Sequence, residues 1–156
     1  MIELLSKVIK KMYIFIYKLI NYSVYKQGII LYGIPKLIER KNIKIEKNVR
    51  VNDNVFMHGA GGIVLRENVT LSYGVTILST GYDTSNWAEN KIGKIHKNQK
   101  VIIGKNVWLC ANVTVLPGVN IADDIIVAAG SVVTESLLEP GYMYGGIPAK
   151  QIKKII

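Results

Sequence analysis

Two histidines, His58 and His96, are the side chains of this chain best suited to proton transfer near neutral pH. Histidine titrates at about 6.5 in short peptides, so an imidazole takes up and returns a proton without large perturbation. His96 stands in the polar stretch K-I-H-K-N, and His58 directly precedes the glycine-rich segment 59–62. General-base chemistry is therefore expected at one of these two residues.

A metal ion and a thiol are the other groups considered for catalysis. No metal-binding spacing of the C-x-x-C or H-E-x-x-H type occurs, so we expect no metal site. Cys110 is the one cysteine of the chain, which excludes an intrachain disulfide and fits a reducing cytoplasm. Because no histidine is adjacent to it in sequence, we interpret Cys110 as a packed structural thiol rather than a nucleophile.

The elements that position these residues are indicated by the spacing of the aliphatic residues. An aliphatic side chain recurs at every sixth position, and a second small aliphatic follows four positions after many of them. This period fits neither an amphipathic helix nor a hairpin meander. The three registers are Ile45, Val51 and Met57; Leu65, Leu71 and Ile77; and Ile103, Leu109, Val115, Ile121, Val127 and Val133.

A period of six predicts an all-β fold, a parallel β-helix whose coils each contain three short strands. Each strand turns one aliphatic side chain into a narrow prism, and stacked coils pair their strands in parallel. Asn and Gly tolerate the positive φ of tight corners, and they recur at the expected places. The corner residues are Asn48, Asn54, Asn68, Gly74, Asn106, Asn112 and Gly118.

The register breaks twice, each time after the third strand of a coil. Two extra residues follow Met57, near Gly61 and Gly62. Twenty extra residues follow Ile77, and we expect them to form one long external loop over about residues 81–100. Loops of this length in compact repeat proteins are usually functional, so the long loop is a candidate part of a site.

The N-terminal segment differs from the rest of the chain. We expect residues 1–27 to form a basic, partly amphipathic helix, followed by one β-helix domain over residues 28–156. The helix is expected to pack on the domain or a neighbouring subunit, or to dock on an anionic membrane. The net charge of +9 suggests a nucleic acid, a membrane or a phosphate-bearing cofactor as partner. Lysines interrupt the apolar run too often for a membrane span: Lys7, Lys10, Lys11 and Lys18.

Three stretches of the C-terminal part resemble the hexapeptide-repeat acetyltransferases, the group that includes galactoside, maltose and polysaccharide O-acetyltransferases. The resemblance extends weakly back to about Ile43, and residues 1–42 carry none of it. The stretches are I-I-G-K-N-V-W-L-C-A-N-V-T-V-L-P-G-V-N-I (102–121), A-A-G-S-V-V-T (128–134) and G-G-I-P-A-K (145–150).

The resemblance implies a left-handed coil, a homotrimer with active sites between subunits, and transfer of acetyl from acetyl-CoA to a hydroxyl of a sugar or surface polysaccharide precursor. We expect neither a metal nor a nucleic acid as partner. The protein is expected to be cytoplasmic, and membrane-associated if its N-terminal helix contacts lipid. Two alternatives stay open: an N-acyltransferase for an amino sugar or antibiotic-like amine, and a catalytically silent scaffold. Zinc hydrolases of this fold need three histidines, and the chain has two.

The family's catalytic histidine stands at the start of the external loop, where this chain has Tyr82. A tyrosine titrates at about 10 and is a poor base at neutral pH. We therefore expect His96 to be the base, oriented by Asp83 or another carboxylate, with an exposed loop histidine as the alternative. His58 matches a substrate-binding Asn, so we expect it to contact the acceptor, to serve as the base itself, or only to pack at a corner.

Tyr82, Asp83 and two tryptophans are further candidates for substrate binding. The resemblance suggests that Trp108 lines the donor or acceptor site, although packing on the outer face is equally compatible with its position. Trp87, in the long loop, is expected to form a wall for a sugar ring or to hold the loop in place.

The resemblance also implies contacts with CoA along the C-terminal coils. Glu135 departs from the pattern, because the galactoside enzymes have a lysine there. The expected contacts are Ala111, beside the thioester; Ala129 and Thr134, along the pantetheine arm; Pro148, in a turn that closes the groove; and Lys150 and Lys153, near the phosphates.

Overall fold

The computed structural model describes residues 2–25, 28–89 and 93–156, which form an N-terminal helical segment followed by a parallel β-helix. A single helix was predicted for residues 1–27, and the structure has two, α1 (Ile2–Ile20) and the short α2 (Tyr22–Tyr25). Residues 1, 26 and 27 of that prediction lie outside the described ranges. Among the described helices, none has the length and apolar character needed to cross a membrane.

The strands of the β-helix are short and evenly spaced, and a 3-10 helix (Arg40–Asn42) lies between two of them. In chain order the strands are β1 (Ile30–Leu31), β2 (Lys36–Ile38), β3 (Ile43–Ile45), β4 (Arg50–Val51), β5 (Phe56–His58), β6 (Ile63–Leu65), β7 (Thr70–Leu71), β8 (Thr76–Leu78), β9 (Thr80–Tyr82), β10 (His96–Asn98), β11 (Val101–Ile103), β12 (Trp108–Leu109), β13 (Thr114–Val115), β14 (Asn120–Ile121), β15 (Ile126–Val127), β16 (Val132–Val133), β17 (Tyr142–Gly146) and β18 (Ala149–Lys154).

Three sheets form the sides of the prism, and each coil passes from sheet 3 to sheet 1 to sheet 2. Sheet 1 contains β1, β4, β7, β12, β15, β17 and β18; sheet 2 contains β2, β5, β8, β13 and β16; sheet 3 contains β3, β6, β11 and β14. All pairs in these sheets are parallel except the closing hairpin of β17 and β18. Ile103 pairs with Ile121 and Leu109 with Val127, which confirms a coil of three six-residue strands.

The interior of the prism is filled by the aliphatic residues that the period predicted. Every one of them is exposed by 5% or less, and most are completely buried. The residue directly before each of them points outward and is at least partly exposed, because side chains alternate across a strand. All seven predicted corner residues have positive φ, between 55° and 85°. The core and the corners are therefore confirmed as the sequence predicted them.

Both register breaks lie at the corner between sheet 2 and sheet 3, which we call the second corner; the first corner joins sheet 1 to sheet 2. The two-residue insertion forms a turn over residues 59–62, directly after β5. The long insertion leaves after β8 and is partly regular, because β9 and β10 pair as an antiparallel hairpin. We call this hairpin, residues 80–98, the arm; its residues 90–92 lie outside the described ranges.

Leu109→Ala should lower the free energy of unfolding by about 2–5 kcal/mol, because Leu109 is completely buried and the prism leaves no room for neighbours to fill the cavity. The matched control is Leu138→Ala, at a side chain that is 66% exposed, with an expected change under about 0.5 kcal/mol. Urea unfolding followed by circular dichroism measures both, and equal losses would contradict the prism core.

Candidate active site

The base of the arm packs against the glycine-rich turn of the preceding coil. The buried Ser79 hydroxyl donates to the His58 carbonyl (2.7 Å) and accepts from the Gly61 N–H (2.9 Å). The Gln99 N–H in turn donates to the Ser79 carbonyl (2.9 Å). A Cβ at Gly61 would lie 2.2 Å from the Ser79 carbonyl oxygen and 2.6 Å from the Gln99 nitrogen. Only glycine fits there. The turn over residues 59–62 and the base of the arm therefore pack together as one structure.

Tyr82 and His96 face each other across the two strands of the arm. They are direct antiparallel partners in β9 and β10. Their ring centroids are 4.7 Å apart with 36° between the ring planes, and both side chains are exposed. The hairpin therefore brings an imidazole from the opposite strand beside Tyr82, where the resemblance places the family's histidine.

A lysine that the sequence did not single out completes an aromatic cluster on the arm. The Lys94 Nζ lies 4.2 Å from the ring centroid of Trp87 and 5.7 Å from that of Tyr82, in cation–π contact with both. The rings of Tyr82 and Trp87 are 6.4 Å apart. We call Tyr82, Trp87, Lys94 and His96 the arm cluster. Trp87 packs within the arm, and 47% of its surface remains exposed to solvent.

Asp83 begins the turn of the arm instead of orienting the imidazole. Its carboxylate accepts hydrogen bonds from the Ser85 N–H (2.9 Å) and the Ser85 hydroxyl (2.7 Å). These two hydrogen bonds hold the pKa of Asp83 below its usual range. The bond from the backbone N–H has the larger effect, and the bond from the hydroxyl has the next largest. Both hydrogen bonds go to one oxygen, and the predicted contact with His96 is not made in this structure.

His58 lies on the outer face of sheet 2, next to the second corner. Its neighbour Met57 is completely buried, so the imidazole points outward, with its ring centroid 6.5 Å from that of Phe56. His58 pairs with Leu78, and the arm begins two residues after Leu78. The structure therefore places His58 and the base of the arm at the same edge of sheet 2, as the register predicted.

The expected donor residues with short side chains lie at the first corner, on the opposite edge of sheet 2. The Gly130 N–H donates to the Ala111 carbonyl (2.9 Å), which stacks the corner containing Ala129 on the preceding one. The Gly146 N–H donates to the Ser131 hydroxyl (3.1 Å) and fixes the turn that leads to the exposed Pro148. Short side chains therefore line the first corner in these two successive coils.

The remaining expected CoA contacts are divided between two sheets. Thr134 directly follows β16 and lies at the same edge of sheet 2 as His58. Three strand spacings separate the two residues, a distance of about 14 Å. Lys150 lies 3.7 Å from the Glu135 carboxylate, an exposed and therefore weak ion pair. Lys153 lies on β18, opposite Met143, at the end of sheet 1.

Trp108 lies on the outer face of sheet 1, away from sheet 2. Its side chain is 46% exposed, and its indole N–H donates to the Ser72 hydroxyl (2.9 Å). Cys110 follows at the first corner, where burial raises the pKa of its thiol. The described residues contain no group of His, Cys, Asp and Glu side chains that could hold a metal ion.

Comparison with known proteins matches this chain to one family. Residues 100–135 match the family described as bacterial transferase hexapeptide (six repeats). Galactoside O-acetyltransferase of Escherichia coli (strain K12) is 31% identical over 114 residues, which cover 73% of this chain and 55% of that protein. Residues 100–135 therefore carry the hexapeptide repeat of this transferase family. The chain spans little more than half the length of the curated relatives that it matches.

Solved structures of other hexapeptide-repeat proteins have the same fold. Galactoside acetyltransferase in complex with coenzyme A superposes with a TM-score of 0.73 at 26% identity, covering 82% of this chain and 64% of that one. The polysialic acid O-acetyltransferase OatWY superposes with a TM-score of 0.66 at 28% identity, covering 82% and 60%. Superposition preserves the hand of a coil, so these matches confirm the left-handed β-helix that the resemblance implied.

Gly61→Ala should displace the base of the arm, because the added Cβ meets backbone atoms on both sides. We expect a loss of about 1–3 kcal/mol in unfolding free energy and faster proteolytic cleavage within the arm. The matched control is Gly93→Ala in the arm itself, where a Cβ meets no atom within 4 Å and no change is expected. Thermal unfolding and limited proteolysis measure both effects, and equal cleavage rates would contradict the packing.

Cys110 should react with iodoacetamide several-fold more slowly than free cysteine at pH 8, because burial raises the pKa of the thiol and lowers its thiolate fraction. The rate should still be rising with pH above 9. Mass spectrometry of the alkylated protein gives the rates. A rate equal to or above that of free cysteine would indicate an activated thiol and contradict the structural role.

Proposed function

We propose that this chain transfers the acetyl group of acetyl-CoA to a hydroxyl of a sugar or surface polysaccharide precursor. The observation that carries the proposal is the pair of Tyr82 and His96, whose rings lie 4.7 Å apart on the arm. It supplies an imidazole beside the place where the resemblance puts the family's catalytic histidine. The identity to galactoside O-acetyltransferase supports the same reaction class.

In the proposed reaction, His96 takes the proton of the acceptor hydroxyl while its oxygen attacks the thioester carbonyl. The C–O bond forms, the C–S bond breaks, and the CoA thiolate receives the proton back from the imidazolium. The products are an acetyl ester and free CoA. Stacking on Tyr82 would orient the imidazole, since Asp83 is engaged by Ser85. Backbone N–H groups, with that of Ala111 proposed among them, would stabilise the oxyanion.

The first corner of the C-terminal coils suits the donor. The short side chains of Ala111 and Ala129 let a pantetheine arm approach the backbone, and a Cβ at Gly130 would meet no atom within 4 Å. Lys150 would bind a phosphate of CoA once it leaves Glu135, and the exposure of both side chains makes that exchange inexpensive. Pro148 would line the same groove, and Thr134 would contact the pantetheine arm from the other edge of sheet 2. His58, on the other edge of sheet 2, would contact the acceptor.

A homotrimer is part of this proposal. Trp108 and Lys153 lie on sheet 1, whereas His58, Thr134 and the arm lie at sheet 2. Two faces of one prism point in different directions, so residues of both faces can meet at one ligand only if sheet 1 of one subunit approaches sheet 2 of the next. The arrangement therefore favours sites between subunits.

Residues 28–156 would carry out this reaction, and residues 1–27 would be a separate helical segment. Contact of that segment with a membrane would suit a lipid-linked saccharide acceptor. A cytoplasmic location belongs to the same proposal, because the one cysteine of the chain needs no oxidising compartment.

The test is release of free thiol from acetyl-CoA in the presence of a panel of sugars. His96→Ala should lower kcat by about 10²–10⁴-fold, the usual contribution of a general base. His58→Ala should act mainly on KM for the acceptor, by about tenfold or less, the loss expected for one hydrogen bond. A His96→Ala variant within threefold of the unmodified protein would contradict the assignment of the base.

A matched exchange tests the position of the imidazole directly. The double variant Tyr82→His with His96→Tyr keeps both rings on the arm and exchanges their strands. It should recover activity well above that of His96→Ala, since opposite residues of an antiparallel pair lie about 5 Å apart. Activity equal to that of His96→Ala would mean that the imidazole works only from β10.

The same assay distinguishes the other functions. The N-acyltransferase AntD of Bacillus cereus superposes with a TM-score of 0.65 at 24% identity, a likeness of fold alone. Acetylated amines as the main products would replace the sugar acceptor by an amino sugar or antibiotic-like amine. Absence of both thiol release and CoA binding would indicate a silent scaffold.

A further inference from the structure

Helix α1 turns its polar side toward its own domain. Lys10 pairs with Asp53 at the first corner, and the Lys18 Nζ donates to the Ile29 carbonyl (2.9 Å). Ile14 and Tyr17 on the same side pack against the core. These contacts hold the helix in one rotational setting, so the side that faces away from the domain is defined.

The side that faces away is entirely apolar. At 100° per residue, the outward residues cover about half of the helix circumference. They include Leu5, Val8, Met12, Phe15, Ile16 and Leu19, each between 42% and 62% exposed. All four lysines of α1 lie outside this half. A surface helix of a globular domain normally buries its apolar stripe, so α1 is reversed with respect to that rule.

Almost the whole net positive charge of the chain lies in its first 50 residues, which include this apolar face. Residues 1–50 contain eleven Lys and Arg against three Asp and Glu, a net charge of +8 out of the total of +9. They form α1, α2 and the first coils of the β-helix, including the exposed Lys41 and Lys44. The net positive charge is thus concentrated at the end of the prism that carries the apolar face.

We propose that the apolar face of α1 docks on an anionic lipid bilayer, with the lysines of residues 1–50 contacting the headgroups. An apolar half-cylinder flanked by lysines, with Phe and Leu on the apolar side, is the composition of a helix that lies in the membrane interface. Each lysine near an anionic surface adds to binding. This inference stands apart from the proposed acetyl transfer and does not require it.

A second copy of the chain fits this face less well. A helix–helix seam is narrow, with two apolar positions in seven, whereas the apolar face of α1 covers half of the circumference. A lipid surface with anionic headgroups satisfies both the width of the apolar face and the sign of the charge.

The experiment is co-sedimentation of the full chain with vesicles of phosphatidylcholine and phosphatidylglycerol, and with phosphatidylcholine alone. The unmodified protein should bind the anionic vesicles, and binding should weaken with added salt. Met12→Glu with Ile16→Glu should weaken binding more than about tenfold by placing two carboxylates on the apolar face. Lys7→Gln with Lys11→Gln keeps that face and should weaken binding by roughly fivefold per lysine.

The control is Leu138→Glu with Ile152→Glu, the same change at two exposed apolar residues of the C-terminal part (66% and 58% exposed). It should bind like the unmodified protein. Circular dichroism and light scattering verify folding and oligomeric state. Failure of the unmodified protein to bind either kind of vesicle would overturn the proposal, and loss of an oligomer in Met12→Glu with Ile16→Glu would then assign the face to a second copy.

Discussion

The structure depends on one constraint: the interior of the prism is narrow, and aliphatic side chains that recur at every sixth position fill it. Leu71, Leu109 and Val127 stack with no exposed surface, and the coils above and below repeat this arrangement. A residue added within a strand would reverse the inward and outward sides of everything after it. Additional residues are therefore accommodated at corners, and the chemistry of the molecule is confined to corners and outer faces.

The arm follows from that constraint. It leaves and returns at the second corner, so β8 and β11 still contribute to consecutive coils. The turn over residues 59–62 makes this possible, because Gly61 admits the backbone of Ser79 and Gln99 within a distance that no Cβ allows. A two-residue insertion in one coil thus supports a long insertion in the next. The arm has a rigid base although most of its surface is exposed.

The sequence predicted the core, the corners and the place of both insertions because a six-residue period is a local property that each coil repeats. It did not predict the arm cluster. The pairing of Tyr82 with His96 depends on the register of a hairpin that occurs once, and the contact of Lys94 with Trp87 depends on the turn within it. Asp83 or another carboxylate was expected to orient the imidazole, but Ser85, two residues further along the chain, satisfies the Asp83 carboxylate locally. The rotational setting of α1 likewise depends on single contacts, such as that of Lys18 with Ile29.

An antiparallel hairpin allows a functional group to change its place in the sequence without changing its place in space. Opposite residues of such a pair lie about 5 Å apart, a distance that an imidazole and a phenol ring span by stacking. Tyr82 and His96 satisfy that geometry, with ring centroids 4.7 Å apart. The departure at residue 82 therefore does not remove the imidazole from the edge of sheet 2. A motif that specifies only the sequence position does not detect an imidazole on the opposite strand. The register of the arm shows that His96 lies there.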